Sequence, residues 1–230
     1  MIDATRRTAA PESLAANDHY DGHDVVEALY VDFLGKCYLC ETKVLLGTFG
    51  IDHRRPQGAR QFPELRCAWT NLFPTCNTHR CNERRRKLYP EGGLLDPGGG
   101  HRVEERIAQR LERPSAVLAS TEARFVFEAV RGDDTPAVNT ADELGRIHDG
   151  TGASPPAQRT AGALRGAILA HVNLIAQKLA ELEGQQLAER DARTRELRAL
   201  FSRRAPYTML VRSCFAGSLV ARTLFDAPAP

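Results

Sequence analysis

Long hydrophobic runs are missing from this chain of 230 residues. Its uninterrupted apolar stretches reach only a few residues, whereas a membrane-spanning helix needs about 20. The two arginines of MIDATRRTAAPES are followed by no apolar segment, so no secretory signal peptide is expected. The expected location is the cytoplasm, with no membrane partner. Lysine is scarce, with 4 residues against 27 arginines; that bias follows base composition and carries no function. A large net charge is also absent. At +2 the chain is not a uniformly polycationic protein. Internal repeats and a Walker phosphate loop are missing too, as is anything resembling a base-reading module. What is present is an ordinary globular balance, 42% hydrophobic and 26% charged, which excludes wholesale disorder. The length suits one or two domains with a real core.

The charge is unevenly placed. Lys36 to Pro90 carries eleven basic residues against four acidic ones, a local +7 that leaves the remainder at −5. Such a segment fits a polyanion site, or else a solvated arginine face. Five of the six cysteines lie there as well: Cys37, Cys40, Cys67, Cys76 and Cys81, with Cys214 outside. Without an export signal, clustered cysteines read as metal ligands rather than disulfides. Cys67 and Cys214 are read as ordinary thiols.

Three regions are expected: an N-terminal arm and helix over 1–35, a metal-stapled core over 36–100, and a helical region over 101–230. Residues 1–18 read as a loose arm. Val25, Val26, Leu29 and Phe33 fall at helical spacing with Gly35 as the stop. Lys43 to Ile51 suggests one or two strands, Gln57 to Leu65 a loop, and Asn82 to Leu88 a short helix. Beyond the glycines at 98–100, Val103, Ile107 and Leu111 recur at helical spacing, and RFVFEAV (124–130) reads as a strand. Thr140 with Glu143 resembles a capping box opening a helix. Leu164, Ile168, Val172, Ile175, Leu179 and Leu182 mark an amphipathic helix of about 25 residues. Two more helices are expected over Ala188–Phe201 and Thr208–Leu224. The expected fold class is α+β.

The chemistry lies in four pieces: Cys37-x-x-Cys40, Asp52-His53, Trp69-Thr70-Asn71, and Cys76-x4-Cys81-Asn82. Two cysteine pairs this far apart can form a tetrahedral thiolate site for Zn²⁺. Closing that site would draw Asp52, His53 and Asn82 together. The aspartate and asparagine oxygens are hard ligands for Mg²⁺ or Mn²⁺. A neutral imidazole can take a proton from water. Together they suffice for phosphodiester hydrolysis. His79 stands where a Cys-x2-Cys pair would end, so a Cys3His set with His79 in place of Cys81 is the alternative. His19, His23, His101, His148 and His171 receive no role, and Trp69 is read as a core plug beside Asn71.

KCYLCE, IDHRRP, WTNLFPTC and CNERRRK, in that order, resemble the zinc-stabilised HNH, or ββα-metal, endonucleases over residues 36–90. GLLDPG and the helical tail resemble, more loosely, the HNH components of anti-phage defence systems of the Septu and retron type. The resemblance implies that His53 is the general base, that Asp52 and Asn82 hold the catalytic metal, and that Asn71 orients loop and base. It implies structural zinc on Cys37, Cys40, Cys76 and Cys81. Arg85 stands where lysine is common, and with Arg84, Arg86 and Lys87 it would grip the nucleic-acid backbone. The implied activity is metal-dependent cleavage of DNA, with RNA such as transfer RNA as the alternative substrate, under a regulatory ATPase subunit of the ABC or AAA type. The rival reading is a zinc-stapled nucleic-acid-binding module without turnover.

Overall fold

A computed structural model describes residues 1–17, 19–57, 61–112, 123–150, 154–183 and 187–226. It is a mixed α+β structure whose strands form two separate antiparallel pairs. In chain order the elements are α1 (Glu12–Asn17), α2 (His23–Asp32), β1 (Gly50–His53), β2 (Leu72–Thr75), α3 (Cys81–Arg84), α4 (Val103–Arg106), β3 (Ile107–Glu112), β4 (Arg124–Ala129), α5 (Thr135–Asp149), α6 (Pro155–Glu183), α7 (Leu187–Phe201), α8 (Thr208–Cys214) and α9 (Leu219–Arg222). No helix among the described residues is long and apolar enough to cross a membrane.

Helix α2 buries Val25, Ala28 and Leu29 and stops where expected. Leu34 and Gly35 turn left-handed, at φ 58° and 62°, and the Gly35 N–H bonds to the Tyr30 carbonyl. The loop that follows carries the first cysteine pair and is tied down by backbone bonds from Cys37 to Thr42 and from Tyr38 to Pro74. β1 pairs with β2 so that Asp52 lies opposite Phe73 and His53 opposite Leu72. Pro74 is tolerated because this sheet has only two strands. Helix α3 begins at the last cysteine of the second pair.

The C-terminal region is built on apolar burial. Leu164, Ile168, Val172, Ile175 and Leu182 of α6 are buried in one cluster with Leu144, Ile147, Phe201 and Val211, as the helical spacing predicts. That cluster runs on through Leu29, Phe73 and the cysteines, so the elements share a continuous core.

Several elements depart from expectation. Residues 1–18 are expected to be a loose arm, yet Met1, Ile2 and Leu14 are buried. The Arg6 guanidinium lies over Phe33, Trp69 and Phe73 at 4.5–5.1 Å and donates to the Trp69 and Leu72 carbonyls. Over Lys43–Ile51 only the ends are extended; Leu45 to Thr48 is a turn. The expected loop over Gln57–Leu65 includes residues 58–60, which lie outside the described ones, and ends in a 3₁₀ turn at Pro63–Leu65. The helix expected over Asn82–Leu88 stops at Arg84, because Arg85 turns extended and reaches back to β1. Ile107 and Leu111 belong to strand β3, not a helix. Residues four apart share a face in either form, and here Ile107 and Gln109 are buried while Ala108 and Arg110 are exposed. RFVFEA forms β4, in register with β3.

Thr140 does not cap a helix. The cap of α5 is Asp134, whose carboxylate accepts from the Ala137 N–H. Thr140 lies a turn and a half inside α5, donating to the Pro136 carbonyl and accepting from the Leu95 N–H. The single helix expected over Thr208–Leu224 is broken in two, with Ser218 capping α9.

Candidate functional site

The two cysteine loops converge. The thiols of Cys37, Cys40, Cys76 and Cys81 are all buried and lie within 4.8 Å of one another. Cys40 to Cys76 is 3.6 Å and Cys76 to Cys81 is 3.5 Å. Four sulfurs about 2.3 Å from one tetrahedral ion would stand about 3.8 Å apart, a spacing close to that of this cluster, which could therefore hold a metal such as Zn²⁺. His79 is buried nearby but outside this group, so Cys81 completes the set. The thiols cannot ionise independently. Hydrogen bonds from the other three pull the Cys76 thiol down, while burial pushes Cys40 well up. A bound cation relieves that conflict by favouring every thiolate at once.

The surroundings of the cluster come from far along the chain. The Cys40 thiol meets Thr42 Oγ1 at 3.1 Å, which in turn meets the Tyr207 hydroxyl at 3.4 Å. Arg84, also buried, sends Nη2 to within 3.8 Å of the Cys81 sulfur and Nη1 to Thr160 of α6. A guanidinium beside a thiolate offsets the negative charge of a four-cysteine centre.

On the other side of α3 lies an open cleft of about 470 Å³, lined by Asp52, His53, Pro56, Gln57, Asn82, Glu83, Arg85, Arg86 and Lys87. Strand β1 supplies Asp52 and His53 at its end, and α3 supplies Asn82 one residue past the last cysteine. Thus the hairpin, the helix and the thiol cluster together bring into one cleft the Asp52, His53 and Asn82 side chains that the sequence singled out. Asn71 lies behind the cleft, buried. Its Nδ2 donates to the Arg55 and Leu65 carbonyls, both at 3.1 Å, and its Oδ1 accepts from the Arg55 N–H at 2.8 Å. It thereby ties Arg55 to Leu65, the neighbour of the Arg66 whose carbonyl meets His53.

His53 is buried at its base and set by its neighbours. Its Nε2 lies 2.8 Å from the Arg66 carbonyl, which can only accept, so Nε2 carries the proton and Nδ1 keeps its lone pair. Burial lowers the imidazole pKa below its ordinary 6.5, so the ring is neutral at pH 7. The Tyr20 ring packs edge-on at 4.7 Å, and the Gln57 amide nitrogen, 2.7 Å from Nδ1, donates to the lone pair of that nitrogen.

Asp52 is not free in the cleft. Its Oδ2 accepts from the Tyr38 hydroxyl at 2.6 Å and from Arg85 Nη1. Burial raises the carboxyl pKa, against the pull of both donors. Both donors fall on Oδ2, which leaves Oδ1 as the oxygen for a hard cation, and the exposed Asn82 lines the same cleft. This donor set suits Mg²⁺ or Mn²⁺.

The basic run divides by placement. Arg86 is half-buried and Lys87 exposed, and both line the cleft. Arg84 faces the opposite way, buried against α6 and the thiols, so it is not placed to hold a backbone. Arg85 is bound internally, to Asp52 and to the His53 and Arg54 carbonyls. Sequence reasoning missed Tyr38, the Arg66 carbonyl and Glu143 of α5, whose Oε1 accepts from the Arg86 N–H at 2.8 Å. Tyr38 sits between two singled-out cysteines, but nothing in the spacing showed that it reaches Asp52. Comparison of the chain with protein-family models, with curated proteins and with solved structures finds no match.

Proposed function

We propose that this chain is a divalent-metal-dependent endonuclease with a zinc-stabilised HNH core, acting on DNA. The observation that carries this reading is the cleft. A neutral His53, its tautomer set by the Arg66 carbonyl, shares one opening with Asp52, Asn82, Arg86 and Lys87. In this reading the Gln57 amide gives up its place at His53 Nδ1 to the attacking water, and Nδ1 takes the proton from that water. Asn71, bonded to Leu65, keeps the adjacent Arg66 carbonyl in place. Arg86 and Lys87 hold flanking phosphates. A divalent ion on Asp52 and Asn82 would stabilise charge on the phosphate and the leaving oxygen. The loop sequences and the helical tail support membership of an anti-phage system of the Septu or retron type. The protein would then work in the cytoplasm, with a regulatory ABC or AAA ATPase docked on the C-terminal region, where Leu219 and Val220 are exposed.

A second reading rests on one observation. Asp52 is already engaged by Tyr38 and Arg85, as a purely structural carboxylate would be. The protein would then bind nucleic acid without cutting it.

One experiment separates the two. The purified protein is incubated with supercoiled plasmid, linear DNA and transfer RNA in Mg²⁺, Mn²⁺ or EDTA, alone and with the co-purified ATPase. We expect metal-dependent cleavage, DNA before RNA, that falls by about 10²–10⁴-fold in His53→Ala. Zinc near one per chain and an unchanged melting temperature would accompany that loss. Binding without cleavage under every condition would establish the second reading instead.

A further inference from the structure

The Asp52 carboxylate is one end of a buried chain of charges that leaves the cleft and ends on a distant helix. Arg85 links the two. Its Nη1 bonds to Asp52 Oδ2, and its Nε lies 3.9 Å from Glu143 Oε1 of α5. The Arg85 side chain is 6% exposed and that of Glu143 4%. Arg85 Nε and Glu143 Oε2 have no hydrogen-bond partner, so the link between them is electrostatic. Arg85 is clamped from above as well, by the His53 carbonyl at 3.0 Å and the Arg54 carbonyl at 2.6 Å. Glu143 is itself anchored by the Arg86 N–H and faces the Arg86 guanidinium at 3.6 Å. A guanidinium held this firmly between two carboxylates is a resident cation in the cleft floor.

We propose that Arg85 is an internal counter-ion for Asp52 that competes with the divalent cation, and that Glu143 is a positioning residue which draws part of that charge away. The proposal rests on the nuclease reading, in which Asp52 binds the metal. Two cations on one carboxylate oppose each other, so the hold of Arg85 on Asp52 lowers metal affinity. Glu143 shares the guanidinium. Without its charge, Arg85 would lean wholly on Asp52 and the metal would bind more weakly still. Removing Arg85 and removing the charge of Glu143 therefore act in opposite directions, although both break the same chain. A merely structural role for this chain would move both in the same direction.

The test is Mn²⁺ binding to the zinc-loaded full chain, followed by loss of the free-ion electron paramagnetic resonance signal. Asp52→Asn defines the binding that depends on the cleft carboxylate. We expect Asp52-dependent Mn²⁺ binding to tighten roughly tenfold in Arg85→Gln and to weaken roughly threefold in Glu143→Gln, the scale of one unit charge a few ångström away. Equal affinity in wild type and Arg85→Gln would overturn the proposal and leave the nuclease reading intact. Absence of Asp52-dependent binding in every protein would overturn both. Should Arg85→Gln not fold, Glu143→Gln decides, because it keeps the Asp52–Arg85 pair; an unchanged or tighter affinity there overturns the proposal. Binding seen in Arg85→Gln but not in wild type would support it.

Discussion

The cysteine-clasped segment, from Lys36 to Asp96, and the helical region, from Thr135 onward, are stable for different reasons. The first has short strands and a four-residue helix, and four of its buried side chains are the thiols of one cluster. Its apolar side chains, such as Leu39, Leu72 and Phe73, join the shared core, and hydrogen bonds such as the three of Asn71 to Arg55 and Leu65 fix the chain between them. The second buries a stripe of Leu, Ile and Val along a 29-residue helix and closes it with α7 and α8. A segment held by one polar centre can place Asp52, His53 and Asn82 on short, open elements, which a small apolar core could not hold rigidly. The helical region forgoes that openness and supplies the wall against which the clasp sits, through Tyr207, Thr160 and Glu143. Precision at the cleft thus depends on both halves, but through different forces.

The largest effect should come from the clasp. A structural four-cysteine metal contributes on the order of 10 kcal/mol of folding free energy, comparable with the whole stability of a domain. Cys76→Ser should therefore lose the bound zinc and unfold the cleft while much helix persists. Metal content and hydrogen exchange would check this; an exchange pattern for residues 50–53 and 72–75 like that of wild type would show that the clasp is not what holds them. A smaller effect belongs to the other side. Ile168 is fully buried in α6, so Ile168→Ala should cost about 3 kcal/mol through lost burial and the cavity left behind. It should leave zinc content unchanged. Denaturant titration with and without chelator would read both, and zinc loss in Ile168→Ala would collapse the distinction between the two regions.

What the sequence made legible follows the same division. The cysteine pairs could be read because a tetrahedral thiolate site tolerates few spacings, and the α6 stripe because six apolar residues recur at intervals of three and four. Strand β4 was readable from RFVFEA. Ile107 and Leu111 misled, since an interval of four fits a helix face and a strand face alike. Thr140 and Glu143 matched a capping box but serve long-range partners, Leu95 for one and Arg86 for the other. Local pattern carries no information about such partners. Asp52, His53 and Asn82 could be placed together only because closing the cysteine site draws them in, whereas the inward turn of Arg84 could not be read: an arginine run looks identical whether its members face solvent or thiols.

The smallest effect at neutral pH, and the most selective, is carried by a residue to which sequence gave no role. His148 of α5 is buried, donates from Nδ1 to the Leu144 carbonyl at 2.8 Å and packs its ring 4.6 Å from that of Phe127. Burial lowers its pKa to about 3, against an ordinary 6.5. Between those values the unfolded chain binds a proton at this position that the folded chain does not. Stability from this group is thus fully present above pH 6.5, declines as pH falls through the window, and stops changing below about 3. The slope is about 1.4 kcal/mol per pH unit for one proton. Replacing His148 with leucine removes the titration and keeps an apolar side chain of similar bulk. We expect His148→Leu to lie close to wild type at pH 7 and to gain on it progressively from pH 6 to pH 4. The cysteine clasp also weakens in acid, because its ligands must be thiolates. That loss is common to both proteins and cancels in the difference between their unfolding free energies. A difference that stays flat with pH would mean that His148 does not contribute to the acid sensitivity of the fold.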